Sequence, residues 1–506
     1  MYTSRVLDLV RETDVERLRQ MALLLEAENA RLHQRLVALT RELAEARGED
    51  RAQLALELQH LTEQLAARNR QLFGDRSERR GRGPRDQPAA REKARGHGPR
   101  EQTTLPLVEV THTLDPADQV CPQCGGDLQP WEGQTEDAEE IDVVERSFRL
   151  VRHRRQKYRC GCGACLDTAL GPPKLLPGGR YSVDFAVAVA VGKYLDHLPL
   201  ARQVRQMARA GLRVDTQTLW DQLNALERHL APTYTALGAY VREAPVLGAD
   251  ETTWTLMTPG KSKTWWVWSL TRPDAVLYAL APSRSGATAQ TVLGDYGGIV
   301  LCDGYGAYRA LTPASARAGP TITLAHCWAH VRRYFVDAEP HYPSAREVLD
   351  LIGALYAADA AAQATAAGDG AVLVAQRQAT VAPIVAAIRA WLTAQAALPR
   401  SALGKAIGYA LTLWPGLIAF LEHAGVPLDN NATERALRGV AVGRKNHYGS
   451  RSERGTRVAA VCYSLLESAK LAGLEPAAYL AEATRRAIAN PGTVTLPRDL
   501  LAERAA

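Results

Sequence analysis

Two short apolar runs in the middle of the chain end on the same chemistry, and nothing else in the sequence narrows the fold so far. Val246-Leu247-Gly248-Ala249-Asp250-Glu251-Thr252 runs from apolar residues into acids, and Ile299-Val300-Leu301-Cys302-Asp303-Gly304-Tyr305 repeats the form. Both read as strands. An apolar strand closed by a carboxylate sets the acid at the edge of a sheet, where ligands bind in α/β folds.

A third acid comes from a different kind of segment. Asp429-Asn430-Asn431-Ala432-Thr433-Glu434-Arg435-Ala436-Leu437-Arg438 reads as a helix start, with Asp429 or Asn430 able to accept a first-turn N–H and Pro427 just outside. Helical spacing lines up Asn430, Asn431, Glu434 and Arg438 on one polar face. Gly443-Arg444-Lys445-Asn446-His447-Tyr448-Gly449 comes next, and reads as a basic, glycine-bearing loop suited to a phosphate backbone. Two aspartates and a glutamate are the oxygen donors that a pair of hard divalent cations takes, with waters and phosphate oxygens filling the shell. Any one of these acids alone reads as an ordinary turn or surface residue; the set of three, in these contexts, reads as a site.

Four blocks carry a resemblance. Gly248-Ala249-Asp250-Glu251-Thr252, Cys302-Asp303-Gly304-Tyr305, Cys327-Trp328-Ala329-His330-Val331-Arg332-Arg333 and Asp429-Asn430-Asn431…Glu434-Arg435…Arg438 resemble, in order, the transposases of the insertion-sequence sixty-six family. The likeness covers nearly the whole chain. It implies an RNase H-like nuclease core in which Asp250, Asp303 and Glu434 form a DDE triad holding two Mg²⁺ (or Mn²⁺) ions. It also implies a helical insertion before the last acid, and possible accessory proteins of the element.

The remaining composition bounds the rest. A chain of 506 residues is too long for one core. The formal charge of +6 is modest, so nucleic-acid contacts must lie in local clusters. No run approaches the roughly 18 unbroken apolar residues of a membrane span and no signal-peptide core stands at the N-terminus, so a cytoplasmic, nucleoid-associated bacterial protein with no membrane partner is expected. Five of the eight cysteines fall between Cys121 and Cys165, which suits a metal site in a reducing compartment.

Read in order, the chain opens on a heptad arm. Leu18, Leu25, Leu32 and Leu39 share one seam position, and Val15, Ala22, Asn29, Leu36 and Leu43 the other. The pattern predicts a homodimer or higher oligomer through a coiled coil, with packing on its own protein as the alternative. A second apolar series, Leu54, Leu58, Leu61 and Leu65, lies beyond it. Arg, Gly and Pro dominate from 79 to 100, as in a flexible basic linker. Cys121 and Cys124 then face Cys160, Cys162 and Cys165 across strand-like sequence, the form of a zinc ribbon with one structural Zn²⁺. Spacing favours Cys162 with Cys165, while the resemblance favours Cys160. Arg152, Arg154 and Arg155 give this region a DNA-facing surface.

Between 181 and 230 the sequence reads helix, Gly211 turn, capped helix: a helix-turn-helix whose recognition helix opens with Gln217 and Thr218. Strands at 264–270 and 275–280 and a helix at 285–293 lead into the Asp303 strand. Alternation turns Glu251 to the face opposite Asp250, so its role is structural. Cys327 and His330 invite a metal reading, but no second pair stands downstream; the block reads as a strand-to-helix junction braced by Trp328, with Arg332 and Arg333 as phosphate contacts.

The chain is thus expected to be a multidomain α+β protein: a coiled-coil arm (1–78), basic linker (79–104), zinc ribbon (105–175), helix-turn-helix-like domain (176–240), RNase H-like α/β catalytic domain (241–486, helical insertion at about 340–425) and tail (487–506). The expected partner is double-stranded DNA, as element ends and target. Arg435, Arg438, Arg444 and Lys445 are expected to neutralise backbone charge and position the strand, and Asn430 and Asn431 to hold the helix start or the scissile strand. The rival readings are a DNA-binding derivative without catalysis, and a nuclease of the same fold without strand transfer.

Overall fold

The computed structural model describes residues 31, 34, 38, 56–64, 123, 148–159, 166–258, 260–312 and 322–505. The heptad seam, the basic linker and all five clustered cysteines lie outside those residues. The chain divides into Phe73–Ser147 and a larger unit made of Met1–Leu72 with Phe148–Ala506. The strands and helices with described bounds all belong to the larger unit.

Two short strands, β1 (Lys157–Arg159) and β2 (Leu166–Thr168), pair antiparallel. Three helices come next: α1 (Val183–Tyr194), α2 (Leu200–Arg209) and α3 (Thr216–Arg242). Local chemistry sets their ends. Ser182 Oγ accepts from Phe185 N at 3.1 Å and Asp215 Oδ1 from Thr218 N at 2.6 Å, each taking up an N–H that the first turn leaves free. Gly211, at φ +81°, makes the left-handed turn after α2. The third helix runs far past the recognition segment. Its Leu219, Leu223, Leu226, Leu230 and Leu237 join the same core as the sheet.

The sheet has five strands in the order β5-β4-β3-β6-β7. β3 (Val246–Thr258), β4 (Lys261–Arg272) and β5 (Ala275–Ala281) form an antiparallel meander. The helix α4 (Gly286–Leu293), capped by Ser285, crosses over to β6 (Ile299–Cys302), which runs parallel to β3. After the short α5 (Gly306–Arg309), β7 (Thr323–His326) adds a second parallel edge and leads into α6 (Trp328–Ala338).

An all-helical excursion comes next: α7 (Ala345–Ala366), α8 (Gly370–Gln376), a π-helical turn at Arg377–Val381, α9 (Ala382–Ala394), α10 (Ala402–Thr412) and α11 (Trp414–Leu417). The stretch Gly370–Ala394 is long and apolar enough to cross a membrane by mean hydropathy, yet its π turn carries Arg377, buried and paired with Asp359. The chain then returns to the sheet with α12 (Asn431–His447), α13 (Glu453–Leu471), α14 (Pro476–Ala489) and α15 (Pro497–Ala505).

The sheet separates two cores. Val300 and Cys302 of β6 face the core shared with α3, α13 and α14, while Leu301 between them faces the core of the helical excursion. The open edge of β5 is covered by α13, whose Ser464 Oγ accepts from Tyr278 N (2.8 Å) and whose Ser468 Oγ accepts from Val276 N (3.0 Å). That closes the hydrogen-bonding groups an edge strand leaves exposed. The segment 56–64 is helical and docks on the excursion of its own chain: Leu58 is buried, and Glu63 accepts from Ala402 N at 2.8 Å and from the Tyr342 hydroxyl. The end of the chain is likewise tied down, with Leu496 and Leu500 buried and the Tyr479 hydroxyl donating to Thr495 O.

Candidate functional site

The register of the parallel strands brings the two aspartates together. Gly248 pairs with Leu301; that register leads Asp250 and Asp303, two residues further on, toward the same place, and the charge of Asp303 acts on Asp250. Alternation puts both on the face of Gly248 and Leu301. One expectation needs correcting. Asp250 does not end its strand, because β3 continues to Thr258, paired throughout with β4. What ends at this level is β6, and Asp250 borders the crevice left where its parallel neighbour stops.

Buried polar contacts lock α12 against this edge. Asn430, 2% exposed, donates from Nδ2 to Ala249 O at 2.9 Å and accepts from Thr433 Oγ1 at 2.6 Å. Thr433 Oγ1 also lies 2.6 Å from Thr271 Oγ1 on β4. Gly248 is the residue that lets the helix come so near. A Cβ there would stand 2.1 Å from Thr433 Oγ1 and 2.5 Å from Thr271 Oγ1. Asn430 thereby ties the helix start to the strand. The first-turn N–H of Asn431 goes to Asp429 Oδ1 at 3.1 Å. Glu434, one turn in, is thereby carried to the aspartates.

The three carboxylates feel one another. Burial, together with the charges of Asp303 and Glu434, pushes Asp250 up to about 6. Asp250 Oδ1 accepts from Glu251 N at 2.8 Å and Asp303 Oδ1 from Tyr305 N at 2.9 Å, fixing both side chains. Among the described residues no three His, Cys, Asp or Glu side chains are closed tightly enough to cage an ion. The donor set instead fits a hard cation that keeps much of its water and is held by one or two carboxylates at a time.

Glu251 turns the other way, as alternation requires. Its side chain is fully buried, paired with Arg284 Nε at 3.2 Å, and burial pushes it up to about 7. Arg284 in turn lies over the Tyr305 ring at 3.7 Å. His330 is a neighbour that motif spacing did not assign to the acids. Its Nε2 lies 3.5 Å from Glu434 Oε1, with Arg333 Nη2 at 4.0 Å from the same oxygen. Burial holds the His330 pKa down against the pull of Glu434. The junction does brace on Trp328, whose Nε1 donates to Leu417 O at 2.9 Å, and Cys327 Sγ accepts from Asn430 N at 3.2 Å. The partner of His330 is an acid from another element, not a second Cys/His pair.

The other sequence-predicted residues are spread over several elements. Arg332, Arg333, Arg435, Arg438 and Lys445 are exposed, and Asn431 is half-buried at the start of α12. The basic stretch after Gly443 is not a loop. It is the last turn of α12, and the left-handed residues that end the helix are Tyr448 and Gly449. Gly443 is buried inside the helix because a Cβ there would meet the Tyr463 hydroxyl at 2.1 Å. Arg444 reaches back to β3, donating to Thr252 Oγ1 at 2.7 Å, and so fastens α12 to the strand. Gln217 is exposed at the start of α3 with Nε2 on Asp221 Oδ1, and Thr218 is half-buried beside it. Arg152, Arg154 and Arg155 are exposed ahead of β1, Arg155 Nε donating to Ala169 O. These two groups are not brought to the acids by any contact among the described residues.

The parallel strands and the returning helix thus gather three acids, in a chain whose sequence also carries five clustered cysteines. The comparisons with known proteins are specific. A family profile described as "Transposase IS66 family" matches residues 178–458, and one described as "zinc-finger binding domain of transposase IS66" matches 118–163. The chain belongs to the IS66 transposase family, and with it to the transposases that act on DNA. It is similar to three proteins of Sinorhizobium fredii that carry only the description uncharacterized: y4jD, 32% identical over 96% of both chains; y4hP, 29% identical over 74% of this chain and 71% of that one; and y4qI, 32% identical over 69% and 67%.

Proposed function

We propose that Asp250, Asp303 and Glu434 are the catalytic acids of a DDE transposase with an RNase H-like core, holding two divalent ions, Mg²⁺ or Mn²⁺. The observation that carries this reading is the convergence of three acids from β3, the end of β6 and α12, with Asp250 raised by burial and by its neighbours. A cluster of negative charge that Arg284, His330 and Arg333 offset only in part suits cations. What bound ions supply there is neutralisation of the scissile phosphate and a more acidic attacking oxygen.

The reaction takes place in two displacements. Water attacks phosphorus at the element's end; the 3′ oxygen leaves with a proton and the flank keeps its 5′ phosphate. The freed 3′ hydroxyl then attacks a target phosphate and displaces the target's 3′ oxygen. Arg435, Arg438 and Lys445 on α12, with Arg332 and Arg333 on α6, meet the backbones of the bound strands. Arg444, Asn430 and Thr433 keep Glu434 in position. The ribbon holds a structural Zn²⁺ through Cys121, Cys124 and two of Cys160, Cys162 and Cys165. Arg152, Arg154 and Arg155, and Gln217 and Thr218, read the ends, and the N-terminal arm pairs protomers so that two ends are handled together. Such a protein works in the bacterial cytoplasm, at the nucleoid.

Terminal repeats defined from the DNA flanking the gene, mixed with purified protein and Mg²⁺, test this reading. Cleavage at the 3′ ends and joining to target, both lost in Asp303→Asn, are expected. An end that is bound but neither cut nor joined, even with the element's accessory proteins added, would sink it.

A further inference from the structure

Beside Asp303 the surface opens into a cavity of about 420 Å³, within the size range of ligand pockets. Three tyrosines from three elements line it: Tyr305 after β6, Tyr334 on α6 and Tyr409 on α10. Tyr334 and Tyr409 stack, with ring centroids 4.4 Å apart and planes 30° from parallel. The Tyr409 hydroxyl donates to Asp303 O, so the stacked pair is tied to the backbone of an acid of the site. Tyr305 is held from behind, its hydroxyl on Arg284 O at 2.7 Å and the Arg284 guanidinium over its ring. His330 and Arg333 close the side toward Glu434.

The acids account for Asp303 and Glu434, but not for the aromatic wall. Tyr334 is 43% exposed, so its ring is accessible from the cavity. The chemistry of the wall selects what that is. Asp303 and Asp337 contribute carboxylates to the lining, which oppose an anionic phosphate. A neutral, flat, polarisable group is favoured on tyrosine faces, and a guanidinium at one side can donate to a carbonyl oxygen or ring nitrogen.

On the proposed reading of the site, we infer that this cavity receives a nucleobase extruded from the duplex next to the scissile phosphate, stacked against Tyr334 and edged by Arg333. Removing that base from the helix lets the phosphate reach acids recessed beside the sheet. The unstacking cost is met by new stacking on the tyrosine.

The test uses the full-length protein with Mg²⁺ and duplexes of the element's end. These are fully paired, or carry a single mismatch or a 5-iodouracil at each nucleotide flanking the cut. At one flanking position, a mismatch should speed cleavage several-fold and iodouracil should photo-crosslink to Tyr305, Tyr334 or Tyr409. Tyr334→Ala should slow cleavage of the paired end by on the order of tenfold, whereas Tyr334→Phe, which keeps the stacking face, should not. If the end is bound and cut but Tyr334→Ala is as fast as the parent, and neither mismatch nor crosslink singles out a position, the cavity holds no base. If no end duplex is bound or cut at all, the transposase assignment of this site has failed and the base pocket falls with it.

Discussion

Two regions of this molecule bury charge, and they do so in opposite ways. In the helical excursion Arg377 and Asp359 are 1% and 3% exposed and meet at 2.7 Å. Their other groups are matched as well: Arg377 Nη1 donates to Phe420 O at 2.8 Å, and Asp359 Oδ2 accepts from Gln363 Nε2 at 2.6 Å. At the sheet edge Asp250, Asp303 and Glu434 crowd together with His330 and Arg333 close to Glu434, and Arg284, paired with Glu251, offsets the charge on Asp250 only in part. A matched buried pair is scaffold, because nothing further can be gained there. An unmatched cluster raises the free energy of the empty fold and keeps that energy available for a cation.

The comparison can be broken most severely at the unmatched end. Asp303→Asn should cut strand cleavage by on the order of a thousandfold or more, as loss of one member of a concerted site does, while the thermal midpoint without metal holds or rises. A large fall in stability would mean that Asp303 is scaffold. At the matched end the effects exchange. Arg377→Ala strands a buried carboxylate and should cost about 3–5 kcal/mol in urea unfolding, with cleavage per folded molecule unchanged; pairing it with Asp359→Leu should recover much of the loss.

A pH series sharpens the contrast further. Asp250 and Glu251 are held at about 6 and about 7, above their ordinary values, so each binds a proton more readily in the folded chain than in the unfolded one. The stability these two groups contribute without metal is therefore fully present below about pH 4 and is lost as pH rises toward 6 to 7, by about 3 kcal/mol for Asp250 alone. Added Mg²⁺ should flatten that decline, whereas an unchanged slope would show that no ion is taken up. The smallest effect is expected at Gly248. Gly248→Ala pushes Thr433 and Thr271 apart, costing about 1–3 kcal/mol and moving Glu434, so cleavage should fall more than binding of the end.

The parts of this site legible in the sequence are those written locally. The apolar runs, the strand pair after Asp250, and the capped helix after Gly211 all depend on residues a few positions apart. The illegible parts depend on distance along the chain. His330 meets an acid more than a hundred residues further on, and Asn430 bonds a carbonyl 181 residues earlier. The stacked tyrosines come from separate helices, and the Arg377–Asp359 pair hides in an alanine-rich stretch with no charge cluster to mark it. The extension of β3 past Asp250 is hidden for another reason: its polar, alternating residues are supported by β4 rather than by their own pattern. The basic stretch reads as a loop because glycine signals a break, whereas Gly443 is there for the Tyr463 contact.

On the proposed reading the three acids act together as a divalent-metal site. Asp303→Cys tests it most directly, because a thiolate is a poor ligand for Mg²⁺ and a better one for Mn²⁺. Cleavage of the element's end should vanish in Mg²⁺ and return in part when Mn²⁺ replaces it. Equal activity of Asp303→Cys and the parent in Mg²⁺ would show that Asp303 holds no ion, and would contradict the account.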